Sequence, residues 1–281
     1  KPVTPPAKDA EPDADQAYND NLARLSGIAG RLAAENGFVY AGLHPLTMKV
    51  MQEAKTALGN EYHVCGGDGV HPAANGHLVM AYAFLKAMGL DGAIGTITVD
   101  LAGTATATEG HRVVSAANGK VEIESARYPF CFSGGEKDPG GTRSILPFLP
   151  FNRDLNRFLL VVKNLAAPAA EVAWGATSRT FSKAELEAGV NLAEAFPDNP
   201  FSGPFAQLDR VVAGKQNRET QTIKGQITNF RALVADNPGD EEVTQAIALL
   251  RGKLLARNAQ EAALARAAVK PVTHTLVVTP K

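Results

Sequence analysis

The chain has few cysteines, few aromatic residues and almost no net charge. Its 281 residues include two cysteines and one tryptophan, and 28 Lys and Arg against 29 Asp and Glu leave a formal net charge of -1. Two cysteines, Cys65 and Cys131, exclude a dense disulfide framework but leave a single bridge open. Without a basic field we expect neither nucleic acid nor a membrane surface as a partner.

Long apolar runs are also missing. No uninterrupted run approaches the roughly 18 residues that a helix needs to span a bilayer, and no basic segment followed by an apolar stretch opens the sequence. Residues 1–16 are proline-rich and polar, which is typical of a solvated loop or linker. Because the first residue is a lysine, we expect a fragment or a processed chain, and the compartment stays open.

Residues 1–92 predict part of an α/β domain. Apolar residues recur at three- and four-residue spacing over residues 15–36, as on one face of a helix. Residues 38–43, FVYAGL, are a short continuous apolar run, which is typical of a strand buried on both faces in a parallel sheet. Further helices are predicted at 45–58 and 73–88. The order helix, buried strand, helix favours an α/β fold.

Residues 93–203 predict a small β-rich module. Asn118 and Gly119 can both adopt positive φ, so they predict a two-residue hairpin turn. Ser182 is a good N-cap with Glu185 three residues later, and this pair marks the start of the one or two helices predicted over residues 181–196. Strands are indicated by alternating or β-branched segments at 96–101, 112–116, 121–126, 158–165 and 171–175.

Residues 204–281 predict a helical extension. Residues 237–239, Asn-Pro-Gly, separate two long helical segments, as the turn of a helical hairpin would. Asp240 and the two glutamates after it indicate that the second helix begins here, because the helix dipole stabilises negative charge in the first turn. Residues 273–280 predict either a last edge strand or a frayed tail.

The densest cluster of reactive side chains lies between His63 and His77, in a glycine-flanked loop before a helix. Asp68 and His71 are three residues apart, so a turn can bring the carboxylate to the imidazole. A carboxylate bonded to Nδ1–H leaves Nε2 free to take a proton from a nucleophile. Two alternatives remain: an ordinary turn with an exposed His71, and a metal site using His63, Cys65 and His71, although the ligand spacing is irregular.

The run from Asp68 to His77, Asp-Gly-Val-His-Pro-Ala-Ala-Asn-Gly-His, resembles the last conserved block of the SGNH (GDSL-type) hydrolases. The resemblance covers about the first 90 residues and is specific at Asp68, His71, Pro72, Gly76 and His77. It implies the C-terminal part of a flavodoxin-like hydrolase domain. His71 would be the general base and Asp68 its orienting carboxylate, while Gly76 and His77 would be structural.

The family's serine, in a Gly-Asp-Ser motif, and its glycine and asparagine of the oxyanion hole have no match here. We therefore expect a C-terminal fragment of a longer serine esterase. The resemblance implies no metal or organic cofactor, a small-molecule or carbohydrate ester as substrate, and a secreted or periplasmic bacterial protein. The alternative is a non-catalytic binding or structural protein built on a degenerate hydrolase scaffold. The oligomeric state stays open.

Other polar residues have simpler interpretations. Ser26, Ser133 and Ser202 lie next to glycine, but none lies in a G-x-S-x-G nucleophile elbow. Trp174 lies in an apolar strand, which predicts a position in the core rather than a platform for stacking a sugar. Residues 146–165 and 181–196 resemble a region appended to some bacterial SGNH proteins, and this similarity singles out Asn156, Arg157 and Asn191. Capping, turn and surface pairing roles suit these three side chains.

Overall fold

A computed structural model describes residues 12–281. Over these residues the fold is mixed α/β, with nine α-helices and two sheets, which confirms the predicted α/β class. The chain forms two compact units, each assembled from three separate stretches of sequence. Unit 1 comprises residues up to 97, 132–161 and 184–197, and unit 2 comprises 98–131, 162–183 and 198–281. The predicted segments 1–92, 93–203 and 204–281, by contrast, follow one another along the chain.

Three helices open unit 1 and confirm the helices predicted from apolar spacing. They are α1 (Pro12–Glu35), α2 (Leu43–Leu58) and α3 (Ala74–Ala87). Residues 12–16 belong to α1, which corrects that part of the predicted opening loop, and residues 1–11 lie outside the described residues. A 3-10 helix (Arg143–Phe148) and α4 (Phe151–Leu155) follow later in the chain. The apolar core of unit 1 includes Val50, Ala54, Leu78, Val79, Ile145 and Phe151.

Residues 38–42 do not form a strand, which corrects the buried strand predicted at 38–43. The side chains of Phe38 and Val39 are each 72% exposed, and α2 begins at Leu43. An apolar run is buried as a central strand only when neighbouring strands flank it. Among the described residues no strand pairs with this segment.

A four-stranded sheet has the strand order β2-β1-β5-β8. The alternation of β5 buries Phe158, Leu160 and Val162 on one face. The strands predicted at 96–101 and 158–165 are confirmed as members of this sheet. Its strands are β1 (Ala93–Asp100), β2 (Thr104–Ala107), β5 (Arg157–Lys163) and β8 (Val190–Asn191).

Of the one or two helices predicted over residues 181–196, the structure has two, and they are separated by a short strand that was not predicted. The chain forms α5 (Lys183–Ala188), then β8, then α6 (Leu192–Ala195). Gly189 has φ +105°, a conformation that glycine adopts at little cost and that ends α5. The predicted start is correct, since α5 begins directly after Ser182.

A five-stranded sheet in unit 2 has the order β3-β4-β9-β6-β7. The predicted hairpin is confirmed: Ala117 pairs with Lys120, and Asn118 and Gly119 have φ +51° and +75°. The strands are β3 (His111–Ala117), β4 (Lys120–Ser125), β6 (Ala169–Trp174), β7 (Thr177–Ser182) and β9 (Val272–Pro280).

The last strand, β9, lies in the middle of this sheet. It pairs antiparallel with β4 on one side and with β6 on the other. The strand predicted at 273–280 is therefore confirmed, but its predicted position at the edge of a sheet is wrong, and so is the alternative of a frayed tail. Local pattern identifies a strand but gives no information about which distant strands will pair with it.

Two helical arms form the predicted antiparallel hairpin of unit 2. The first arm is α7 (Ser202–Gln221), a π-helical segment (Thr222–Ile227) and α8 (Thr228–Asp236), and the second is α9 (Glu241–Ala267). Asp240 caps α9, because its Oδ1 accepts the Val243 backbone N–H at 3.0 Å. None of the described helices has the length and apolarity that crossing a bilayer requires.

Candidate functional site

The loop before α3 brings Asp68 and His71 together. His71 Nδ1 lies 2.7 Å from Asp68 Oδ2. The other carboxylate oxygen, Oδ1, accepts the backbone N–H groups of Val70 at 3.0 Å and His71 at 2.9 Å. The tight turn and the carboxylate–imidazole contact, which sequence reasoning treated as alternatives, are thus present at once.

Two glycines allow this turn. Gly66 has φ +69°, and a Cβ at this position would lie 2.0 Å from the His71 carbonyl oxygen. Gly69 has φ +73°, in the left-handed region. Any side chain at Gly66 would force the loop apart, so the glycines fix how closely Asp68 approaches His71.

Hydrogen bonding keeps Asp68 ionised. The pKa of Asp68 is far below its ordinary value because it accepts the His71 backbone N–H, the His71 ring N–H and the Val70 N–H. The His71 side chain is 85% exposed, and within the described residues Asp68 is its hydrogen-bond partner. Nε2 of the imidazole therefore faces solvent and is open to a reacting group.

Asn75 anchors the loop from beneath. It is fully buried, and its Nδ2 donates to the His63 carbonyl at 2.8 Å and to the Tyr62 hydroxyl at 3.2 Å, while its Oδ1 accepts the Gly76 N–H at 2.7 Å. Both ends of the loop are thereby held by one amide. A Cβ at Gly76 would lie 2.0 Å from the Val64 carbonyl oxygen, which agrees with a structural role for this glycine.

The Tyr62 hydroxyl extends the anchor. It lies 2.6 Å from Ser144 Oγ, which in turn donates to the Asp138 carbonyl at 2.7 Å. Sequence reasoning missed Tyr62, Asn75 and Ser144. The tyrosine and the serine are 82 residues apart, so no local signal could have paired them.

The serines next to glycine are engaged elsewhere. Ser26 Oγ lies 2.6 Å from the Tyr40 hydroxyl, Ser133 Oγ lies 3.5 Å from Thr142 Oγ1, and Ser202 Oγ accepts the Asn199 N–H. Among the described residues no serine is hydrogen-bonded to His71. Within the described residues, His71 therefore contacts the Asp68 carboxylate but no serine hydroxyl.

The described residues provide no cluster of ligands for the alternative of a metal site. In residues 12–281 no group of three or more His, Cys, Asp or Glu side chains is placed to hold an ion. Cys65 and Cys131 are both free thiols, so the possible bridge between them is not formed. Burial raises the pKa of each thiol, that of Cys131 to about 11.

The three residues singled out in the appended region have structural contacts. Asn191 Oδ1 accepts the Phe158 N–H, and its Nδ2 donates to the Asn152 carbonyl. Asn156 is fully buried and donates to Asn152 Oδ1. Arg157 donates to carbonyls at the end of α4. These contacts support the capping and pairing interpretation.

Unit 2 contains a second polar cluster that sequence reasoning missed. Trp174 Nε1–H donates to His274 Nδ1 at 3.1 Å, His274 Nε2 lies 2.9 Å from Ser125 Oγ, and Ser125 Oγ lies 2.8 Å from His111 Nδ1. All four side chains are buried. Burial, with a smaller contribution from the charge of His111, lowers the pKa of His274 to about 4. The cluster is a sealed core network, and Trp174 occupies the predicted core position.

Comparison with known proteins identifies the fold and leaves the family open. No family model matches the chain, and no curated protein matches it. A solved structure similar to this chain is that of BT4096, described as a gut microbial diltiazem-metabolizing enzyme. The TM-score is 0.64 at 19% identity, and the match covers 100% of this chain and 70% of that one. This mixed α/β fold is therefore one that an enzyme also has.

Proposed function

We propose that this chain contributes the base and the orienting carboxylate of a serine ester hydrolase of the SGNH type. The observation that carries the proposal is the 2.7 Å contact between His71 Nδ1 and Asp68 Oδ2 in a loop that leaves Nε2 exposed. Asp68 remains ionised at neutral pH, so it holds the neutral imidazole as the Nδ1–H tautomer. That tautomer has its lone pair on Nε2, where a general base needs it.

The proposed reaction proceeds through an acyl-enzyme. His71 Nε2 takes the proton of a serine hydroxyl while the serine oxygen attacks the ester carbonyl. The same proton passes to the departing alcohol as the carbon–oxygen bond breaks. His71 then takes a proton from water while the water oxygen attacks the acyl-serine, and it returns that proton to the serine oxygen as the acyl carbon–oxygen bond breaks and the acid leaves. We place the serine and the oxyanion-hole donors on residues outside the 281 of this chain.

Two further observations support a longer hydrolase. The apolar side chains of Phe38 and Val39 are exposed on a segment that pairs with no strand of the described residues, as expected where a neighbouring strand would cover them. BT4096 extends beyond the part that this chain matches. BT4096 is described as metabolizing diltiazem, a drug that contains an ester, and this supports esters as the proposed substrate class.

The test is hydrolysis of p-nitrophenyl acetate by the longest product of the gene that includes this chain. We expect turnover, and we expect His71→Ala to lower kcat/KM by about 100- to 10,000-fold, the usual contribution of a general base. His77→Ala is the matched control, since His77 is an exposed histidine beside the same loop. Its kcat/KM should be unchanged.

Unchanged kcat/KM in His71→Ala would contradict the role of the histidine. A gene product without any esterase activity would favour the alternative, a non-catalytic binding protein on a hydrolase scaffold. That alternative has one observation in its favour: within the described residues His71 contacts no nucleophile.

A further inference from the structure

Three buried polar side chains of unit 1 form a hydrogen-bond chain that ends on the loop at 63–76, which carries the Asp68–His71 pair. Tyr62 is buried, and Asn75 and Ser144 have no exposed surface. Asn75 Nδ2 lies 3.2 Å from the Tyr62 hydroxyl, and that hydroxyl lies 2.6 Å from Ser144 Oγ. Because buried polar groups need partners, the donors and acceptors of these three side chains determine what the chain holds in place.

The direction of each bond in the chain is fixed. Ser144 Oγ has one hydrogen, and it donates this hydrogen at 2.7 Å to the Asp138 carbonyl, which can only accept. The Tyr62 hydroxyl therefore donates to Ser144, and it accepts from Asn75 Nδ2. Each hydroxyl hydrogen is used once, and bonds that point in one direction strengthen one another.

Asn75 connects the chain to both ends of the loop. The second hydrogen of Nδ2 is donated to the His63 carbonyl at 2.8 Å, and Oδ1 accepts the Gly76 N–H at 2.7 Å. The Tyr62 hydroxyl, which has given its own hydrogen to another partner, requires the same orientation of the amide. Without this hydroxyl, one amide hydrogen of Asn75 would be buried with no acceptor, and the amide would shift together with the loop ends that it holds.

The far end of the chain lies in a second loop, at 133–142. This loop is closed at its base, where the Ser133 N–H donates to Thr142 Oγ1 at 2.9 Å. Asp138 belongs to the loop, and Ser144 follows it in the 3-10 helix. The closed loop thus gives Ser144 a fixed acceptor, and Ser144 in turn gives the Tyr62 hydroxyl one.

We propose that Tyr62 and Ser144 are positioning residues for the ester hydrolysis, and that they act on His71 through Asn75. This inference rests on the proposed function, since it concerns how the base is held for its reaction. The His71 side chain is largely exposed and Asp68, in the same loop, is its hydrogen-bond partner among the described residues, so the position of Nε2 depends on the loop backbone. A displacement of about 1 Å at a reacting group can cost about 100-fold in rate.

Tyr62→Phe tests the proposal in the longest product of the gene that includes this chain. The ring keeps its place and only the hydroxyl is lost, so the variant should retain the wild-type circular dichroism. We expect kcat for p-nitrophenyl acetate to fall about tenfold, with KM within about twofold of the wild type, because His71 is displaced and the substrate contacts are not. Ser144→Ala removes the acceptor of the same hydroxyl and should also lower kcat.

A double variant distinguishes one chain from two independent anchors. If Ser144 acts through the Tyr62 hydroxyl, Ser144→Ala should have no further effect in the Tyr62→Phe background, and kcat should stay within about twofold of that single variant. Two independent structural contributions would instead multiply. A product of the two single effects would overturn the proposal.

Ile145→Val is the matched control. Ile145 is fully buried next to Ser144 in the same 3-10 helix, and the substitution removes one carbon and none of the hydrogen bonds of the chain. It should lower the stability of unit 1 and leave kcat unchanged. An equal fall of kcat in Ile145→Val would show that the effect of Tyr62→Phe is a general loss of stability, and it would overturn the proposal.

Nitrogen-15 relaxation of the 281-residue chain tests the positioning without any activity. We expect backbone order parameters of residues 66–71 near about 0.85 in the wild type and in Ile145→Val, and below about 0.6 in Tyr62→Phe. If Tyr62→Phe does not fold, Ser144→Ala replaces it in both measurements. A longer product without esterase activity would contradict the proposed function, and the relaxation data would still decide this inference. Order parameters unchanged in Tyr62→Phe, or an unchanged kcat in an active product, would overturn it.

Discussion

At the scale of single residues, Asp68 divides its two oxygens between two tasks. Oδ1 accepts backbone N–H groups and sets the turn, and Oδ2 holds the imidazole of His71. A carboxylate held by backbone N–H groups of its own loop keeps its position beside the imidazole. Although both side chains are exposed, the backbone hydrogen bonds of the loop hold Asp68 and His71 at this distance.

Removing the carboxylate should change the tautomer of His71. In the wild type above pH 8 we expect the proton on Nδ1, where Asp68 accepts it; in Asp68→Ala it should move to Nε2, the usual position in a free imidazole. Long-range 1H–15N correlation spectra of the 281-residue chain distinguish the two tautomers. His77 serves as the internal control, and its spectrum should not change. An Nε2–H tautomer of His71 in the wild type would contradict the proposed base.

The sequence could predict this dyad because its partners are three residues apart in a glycine-rich loop. It could not predict the anchor beneath the loop. In the sequence, Asn75 has the pattern of an ordinary residue at the start of a helix. Its hydrogen bond to the Tyr62 hydroxyl belongs to an anchor that also needs Ser144, which comes from a distant stretch of the chain. Long-range partners of this kind depend on how the elements pack, and no local spacing encodes packing.

At the scale of elements, strand β9 of the five-stranded sheet carries a buried histidine, His274. His274 accepts the Trp174 N–H on Nδ1, so its own proton lies on Nε2, toward Ser125. A charged His274 would carry a proton on both nitrogens and would set one of them against the tryptophan N–H. The network therefore requires the neutral imidazole, in agreement with its lowered pKa.

Acid should weaken unit 2 through this histidine. The folded pKa of His274, about 4, lies below the ordinary 6.5, so its contribution to stability is complete above pH 6.5 and is lost as the pH falls toward 4. The loss amounts to about 3 kcal/mol of unfolding free energy. Urea unfolding followed by the fluorescence of Trp174, the only tryptophan, measures it.

The matched variant for this prediction is His274→Gln. Glutamine can accept from Trp174 and donate to Ser125, yet it does not titrate. Its unfolding free energy should change little between pH 6.5 and 4.5. An equally steep decline in the variant would show that another group is responsible.

At the scale of the whole molecule, helices and hairpins were predictable and the assembly of sheets was not. Apolar spacing located α1, α2 and α3, and Asn118-Gly119 located the hairpin, because each signal lies within a few residues. The strand predicted at 38–43 was wrong, because a buried strand requires neighbouring strands and the described residues provide none beside this segment. The predicted edge position of β9 was wrong, because the order of strands depends on how the whole sheet assembles and not on the local sequence of one strand.

Shortening the chain before β9 should destroy the five-stranded sheet. Deleting residues 272–281 leaves β4 and β6 without the strand that lies between them, so we expect Trp174 emission to shift to the red and its cooperative unfolding to disappear. Deleting Lys281 alone removes an exposed ion pair with Glu171 and should cost less than about 1 kcal/mol. Retained burial of Trp174 in the longer deletion would show that β9 is dispensable.

The central place of β9 also orders events during synthesis. A ribosome produces β4 and β6 long before β9, the strand that separates them, so both remain open to solvent and to chaperones until β9 emerges. Nascent chains that stall in the second helical arm would expose those edges to one another. The emergence of β9, more than any earlier step, is the moment at which the five-stranded sheet becomes protected from aggregation.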